Sequence, residues 1–230
     1  MMKKNLVITI DGPAGAGKST VSKALAKKMS LVYLDTGALY RAVAYRVLEK
    51  GILLDDERAI SDLCSRLKIS LKNVDGNLNV FIENENVTDK IRTEEVGLLA
   101  SRVSAIPVVR KTLLSIQREA GEEGGIVAEG RDMGTVVFPN ADCKFFLDAN
   151  IEERARRRYK ELLMRGKIAD YKETERDLNV RDRQDREREI APLMASQDAI
   201  IIDSTNMNVT EVVENIMSFI NWHLKCHSSQ

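Results

Sequence analysis

The stretch that most constrains this chain is the passage from the apolar run Leu6-Val7-Ile8-Thr9-Ile10 into Asp11-Gly12-Pro13-Ala14-Gly15-Ala16-Gly17-Lys18-Ser19-Thr20. It is a G-x-x-x-x-G-K-S loop set between a strand and a helix, the context in which such a loop cradles phosphate. Its three glycines let the backbone turn with the N–H groups facing inward, at the N-terminus of the helix that follows. Gly12, Pro13, Ala14, Gly15, Ala16, Gly17, Lys18, Ser19 and Thr20 are therefore expected to hold the phosphates of a nucleoside triphosphate. Lys18 would reach the β- and γ-phosphates, and the Ser19 hydroxyl would hold Mg²⁺. The loop leaves open where the phosphate goes.

At 230 residues the chain has room for one substantial core with an inserted or appended subdomain. Lys and Arg total 35 and Asp and Glu total 35. The zero net charge gives no global basic field for a nucleic-acid backbone, so any anion site must be local. Met1-Met2-Lys3-Lys4 runs straight into the first strand, without a signal-peptide core, and the sequence holds no 18-residue apolar span. A cytoplasmic protein with no membrane partner is expected. Cys64, Cys143 and Cys226 are too widely spaced for a disulfide framework or a metal-ligand pattern. His223 and His227 lie in the tail, which argues against histidine-based acid–base catalysis.

After the loop, Val21, Leu25 and Met29 recur at helical spacing, and Leu31-Val32-Tyr33-Leu34 reads as a strand. Strand, helix, strand with short connections is a βαβ unit, which predicts an α/β fold with a parallel sheet. Asp35-Thr36-Gly37 then opens a second helix with Thr36 placed to cap it. Tyr40 and Arg41 fall near its start, beyond the C-terminal ends of the strands where such sheets keep their ligands. From Ile69 the period changes to alternation, with a hairpin signal at Asp75-Gly76, alternation again over Leu78–Ile82 and a turn at Glu85-Asn86. Two helices follow, carrying Val96, Leu99, Ala100 and Val103, then Val109, Leu113, Ile116 and Ala120. Ser101 and Arg110 lie off those stripes and read as surface residues from pattern alone. Ile126-Val127-Ala128 is a central strand delivering Glu129-Gly130-Arg131-Asp132 to the sheet edge. Lys144–Asp148 and Ala199–Asp203 are further strands, and Asn208 with Glu211 makes a capping box for the last helix. Between those strands lies an arginine-rich helical pair in which Arg154 and Arg158, or Arg181 and Asp185, share a face. Most of these charges fit a salt-bridged surface, although arginine's planar fork also matches phosphate.

A phosphate loop serves kinases, motors and GTP switches. The Asn-Lys-x-Asp signature of guanine-specific switches is missing, and neither strand ending in an acid, at Asp148 or Asp203, has a second acid after it. A small kinase fits best. A kinase acting on an alcohol wants a positioned base, whereas a phosphate monoester is already an anionic nucleophile and demands cations instead. No obvious base is present, but Arg41, Arg131 and Arg188 are, which favours a nucleoside monophosphate acceptor.

The blocks Asp11–Thr20, Leu34–Arg41, Ile91-Arg92-Thr93, Glu129–Pro139, Arg181–Arg186 and Ala191-Pro192-Leu193 together resemble those of bacterial cytidylate kinases, over about residues 5–220. The resemblance implies a P-loop nucleoside-monophosphate-kinase fold with a central parallel sheet flanked by helices. It also implies Mg²⁺- and ATP-dependent phosphorylation of CMP and dCMP. Residues 1–35, 124–151 and 173–230 would form the core, 36–123 the acceptor-binding domain with an antiparallel insert at about 65–90, and 152–172 the lid. By the same resemblance, Ser101, Arg110 and Asp132 recognise cytosine, and Arg181 and Asp185 contact the ribose. Arg41, Arg131 and Arg188 contact phosphate, Thr36 and Tyr40 line the acceptor site, and Lys18, Arg131 and Arg188 act in catalysis. The family often has Ser at position 36 and Asp at position 129. A monomer with no nucleic-acid partner is expected. Kinases acting on UMP, AMP or shikimate, and a nucleotide-gated binding protein, are the competing readings.

Overall fold

The computed structural model describes residues 5–74 and 76–227, without the side chains of 226 and 227. The sequence readings that involve Met1–Lys4, Asp75, Cys226 and His227 lie outside the described residues. Among the described residues eight strands form one sheet. They are β1 (Val7–Asp11), β2 (Val32–Asp35), β3 (Ile69–Val74), β4 (Asn77–Ile82), β5 (Glu85–Asn86), β6 (Ile126–Gly130), β7 (Cys143–Asp148) and β8 (Ile200–Asp203). Their order is β3-β4-β2-β6-β1-β7-β8, with β5 paired to β4. The five strands from β2 to β8 are mutually parallel. The β3–β4 hairpin joins the edge of β2 through the parallel pair Tyr33 and Asn77.

Eight helices cover the sheet: α1 (Lys18–Met29), α2 (Thr36–Glu49), α3 (Glu57–Arg66), α4 (Glu94–Val103), α5 (Pro107–Glu119), α6 (Ile151–Met164), α7 (Tyr171–Glu187) and α8 (Val209–His227). Continuous apolar runs in β1, β6 and β7 are buried on both faces, as a parallel sheet requires. One face packs Ile8, Ile10 and Phe145 against Val21 and Leu25 of α1 and Val212 and Ile216 of α8. A second core joins α2, α3, α4 and α5 to Val80 and Ile82 of the hairpin. Among the described residues no helix is long and apolar enough to cross a membrane.

Three local expectations are corrected. Helix α2 is capped by Asp35, whose carboxylate accepts from Ala38 N at 3.1 Å. Thr36 is the first helical residue, and its hydroxyl donates to the Glu129 carbonyl at 2.7 Å. Glu85-Asn86 is the short strand β5, and the preceding turn places Glu83 at a positive φ of 57°. Arg110 is buried, not a surface residue. Helix α3 was not expected, although Asp56 caps it and Ile60, Leu63 and Cys64 give it a buried stripe.

The chain leaves β1 toward β2 on one side and later crosses from β6 over β1 to β7 on the other. This reversal opens a crevice at the C-terminal strand ends, where α/β sheets bind ligands. In register, Asp11 sits beside Gly130 and Asp35 beside Glu129, so the loops after β1, β2 and β6 converge there.

Candidate active site

A cleft of about 1240 Å³ lies over those strand ends. One half of it is the loop between β1 and α1. Gly12 has φ 147°, and a Cβ there would sit 2.0 Å from the Leu147 carbonyl oxygen. At Gly15, with φ 78°, a Cβ would press on Arg154 at 3.0 Å. Both positions therefore require glycine. Gly17 precedes α1 with no side-chain cap, and no acid lies in the first turn. The backbone N–H groups and the positive end of the helix dipole are left for an anion. Lys18 is buried and donates to the Pro13 carbonyl at 2.6 Å. Burial, reinforced by the nearby Arg131 cation, pushes its ammonium down to about 7.

The loop is braced from α6. Arg154 donates to the Ala14 carbonyl at 3.1 Å and to Asp182 at 2.5 Å. Arg157 donates to the Ala16 carbonyl at 3.3 Å and to the Ser204 carbonyl at 2.6 Å.

The opposite half is a network of arginines and carboxylates. Arg110, from α5, pairs with Asp132 and donates to the Ser104 carbonyl at 3.2 Å. Arg188 stands 3.6 Å from the other Asp132 oxygen and 4.0 Å from Asp185. Arg131 donates to Asp185 at 2.8 Å. Burial opposes ionisation of Asp185, but Arg131, with Arg188 and Arg181 behind it, holds the carboxyl below its usual range. Arg41 pairs with Asp35 at 2.6 Å. Tyr40 lies under the Arg110 guanidinium, 5.6 Å from ring centre to Cζ.

Four buried polar groups lack hydrogen-bond partners here: Ser101 Oγ, Arg41 Nε, Arg181 Nε and one Arg188 terminal nitrogen. Such groups are costly unless a ligand satisfies them. Burial, followed by repulsion from Arg131, lowers Arg181 to about 10.

The cleft wall thus gathers Lys18, Ser19, Thr36, Tyr40, Arg41, Ser101, Arg131, Asp132, Arg181, Asp185 and Arg188. Three of the expected site residues stand behind it. Gly12 is packed on Leu147, Pro13 offers its carbonyl to Lys18, and Arg110 supports Asp132. Sequence reasoning passed over Asp35, Glu129, Arg157 and the buried Arg154. Asp35 and Glu129 were visible as acids at strand ends. The burial of Arg154 had no sequence signal, because it shares a charged helix with exposed arginines.

Ser19 is exposed toward the cleft. Burial and then Asp35 raise Glu129, whose surroundings include Lys18 and Ser19. Among the described residues no cluster of three or more His, Cys, Asp or Glu side chains is arranged for a metal. The donor set fits a cation held by one hydroxyl and by the phosphates it accompanies, with Asp35 and Glu129 nearby.

A phosphate cradle facing a cationic pocket over the C-terminal ends of five parallel strands defines a P-loop phosphotransferase. The family model for cytidylate kinase matches residues 8–222. The chain is 46% identical over 223 residues to the cytidylate kinase of Pasteurella multocida (strain Pm70), covering 97% of this chain and 98% of that protein. It is 48% identical over 212 residues to the cytidylate kinase of Geobacter sp. (strain M21), covering 92% and 91%. The chain belongs to the cytidylate kinase family and is a kinase. In fold alone it resembles a gluconokinase from Sinorhizobium meliloti 1021, with TM-score 0.52, 13% identity and 99% of each chain covered.

Proposed function

We propose that this chain transfers the γ-phosphoryl group of ATP to CMP and dCMP, yielding ADP with CDP or dCDP, and that it does so as a cytoplasmic monomer. The observation that carries this reading is the one cleft in which Lys18 and the loop backbone face Asp132, Arg131 and Arg188, with Arg110 behind Asp132.

In this reading the loop amides and Lys18 bind the β- and γ-phosphates. Ser19 would hold Mg²⁺, which screens phosphate charge when bound. Arg41, Arg131 and Arg188 hold the acceptor phosphate, whose oxygen is the nucleophile and needs no protein base. The partnerless Arg41 and Arg181 nitrogens are donors available to an anionic, polyhydroxylated ligand. Asp132 accepts from the exocyclic amine of cytosine, with Ser101 Oγ as a further polar contact and Arg110 paired to the carboxylate. Asp185 and Arg181 reach the ribose, while Thr36 and Tyr40 shape the pocket.

Residues 152–172 act as a lid and 36–123 as the acceptor-binding domain over a core of 1–35, 124–151 and 173–230. The ion pair of Lys167 with Glu94, at 3.0 Å, bridges the lid segment and α4 and fits such closure over both substrates. Release of ADP measured by a coupled assay with CMP, dCMP, UMP, AMP and shikimate tests the reading. Turnover with CMP and dCMP far above the others is expected; slow turnover independent of any acceptor overturns it.

A further inference from the structure

Asp11, the last residue of β1, precedes the phosphate loop, yet its side chain turns away from the donor site. One carboxylate oxygen accepts from Met133 N at 2.8 Å and the other from Gly134 N at 2.8 Å. The group is 4% exposed, and a buried carboxylate is costly unless its bonds are good. These two are short and come from successive amides, which a planar carboxylate spans with both oxygens and an amide side chain could meet with only one.

The amides begin a π-helical turn, Met133–Val137, whose preceding residue is Asp132 at φ −147° and ψ 25°. Single π-turns recur at functional sites. The Asp132 carbonyl accepts from Val136 N at 2.9 Å and Val137 N at 3.2 Å, so the turn closes on Asp132 itself. On its other flank the strand end is pinned by Thr36 Oγ1 on the Glu129 carbonyl. Gly130 leaves no slack, because a Cβ there would meet Met133 Cε at 2.7 Å. Gly134 is wedged between Thr9 and Lys144, with a Cβ contact of 3.1 Å to Thr9 Oγ1. The segment bearing Arg131 and Asp132 is thus fixed to the root of the phosphate loop by one side chain.

We propose that Asp11 is a positioning residue for acceptor selection, which clamps the start of the π-turn so that Asp132 is already aimed when the acceptor arrives. The proposal rests on the reading of Asp132 as the base-reading carboxylate. Asp11 touches no substrate; it acts through the backbone of residues 132–134. Burial raises its carboxyl to about 6, against the pull of the two amides.

The experiment compares wild type, Asp11→Asn, Asp132→Asn and the double variant in kcat and KM for CMP and UMP and in Kd for ATP. Asp11→Asn is expected to raise the CMP KM about tenfold and to shift the CMP-to-UMP preference toward that of Asp132→Asn, as coupled neighbours do. Its ATP Kd should stay within about twofold, and in the Asp132→Asn background its effect on preference should shrink to about twofold or less. If Asp132→Asn shifts the preference and Asp11→Asn does not, the positioning role is overturned. If Asp132→Asn itself leaves the preference unchanged, the base reading falls and the role of Asp11 in selection falls with it. Native-state hydrogen exchange on wild type decides the matter even if Asp11→Asn fails to fold. The Met133 and Gly134 amides should exchange as slowly as those of β1 without CMP. Fast exchange that slows only on CMP binding overturns preorganisation.

Discussion

Arg110 and Asp132 meet in an ion pair whose side chains are 8% and 3% exposed, in a cleft otherwise open to solvent. A carboxylate accepts hydrogen bonds, and in the proposed reading that separates cytosine, with its amine, from uracil, with its carbonyl. Asp132→Asn supplies an N–H to the uracil carbonyl and should lower the CMP-to-UMP ratio of kcat/KM by at least about tenfold. The ratio is the right observable, because any general loss from disturbing Arg110 divides out. An unchanged ratio would remove Asp132 from base recognition.

Arg131 and Arg188 both converge on Asp185, at 2.8 and 4.0 Å, and Arg188 also reaches Asp132. The carboxylates hold the guanidinium groups over the cleft, where they would clamp the transferring group. Arg131→Ala and Arg188→Ala should each lower kcat about a thousandfold or more, as removal of a phosphate-clamping arginine does. A loss of only a few-fold at saturating CMP would reassign them to the surface salt-bridge network.

Arg154 serves a different purpose from its neighbours. It donates to Ala149 and Ala14 carbonyls at 2.9 and 3.1 Å and pairs with Asp182, both partners being buried. Arg154→Ala would strand Asp182, one of whose oxygens already has no partner. The expected cost is about 3–5 kcal/mol of stability, read from denaturant unfolding. Arg156→Ala, on the exposed face with Glu153, should leave the unfolding midpoint close to that of wild type. Equal effects would mean that Arg154 is an ordinary surface arginine.

The contrast marks where sequence stops being informative. Period and context suffice for the phosphate loop, the parallel strands and the β3–β4 hairpin, because buried faces repeat along the chain. The capping box is equally local, and Asn208 and Glu211 do exchange bonds at 2.7 and 3.1 Å. Arg110 and Arg154 were legible as arginines but not as buried ones. Their burial depends on Asp132 and Asp182, 22 and 28 residues away, and no local pattern encodes that pairing. Thr36 looked like a cap because Ser and Thr usually are. Asp35 beside it takes that task, which frees Thr36 for the Glu129 carbonyl. The first two amides of the π-turn after Asp132 likewise donate to Asp11, more than a hundred residues earlier.

Lys18 gives the cleft a pH dependence of known sign. Its value near 7 in the unliganded fold lies below the ordinary 10.5, with burial the main cause and Arg131 the next. Between those two values the unfolded chain binds the extra proton, so this group makes stability rise with pH across the window and weighs against the fold below it. Triphosphate binding reverses the preference, because the phosphates favour the ammonium. ATP should therefore bind with uptake of close to one proton at pH 8. Its Kd should rise by up to about tenfold per pH unit above 7, until the pKa of Lys18 in the complex is reached. Calorimetric titration in two buffers of different ionisation enthalpy measures the uptake directly, and Lys18→Met should abolish it. ATP binding at pH 8 with no proton taken up would mean that Lys18 is already charged in the empty loop, held so by the Pro13 carbonyl it touches at 2.6 Å.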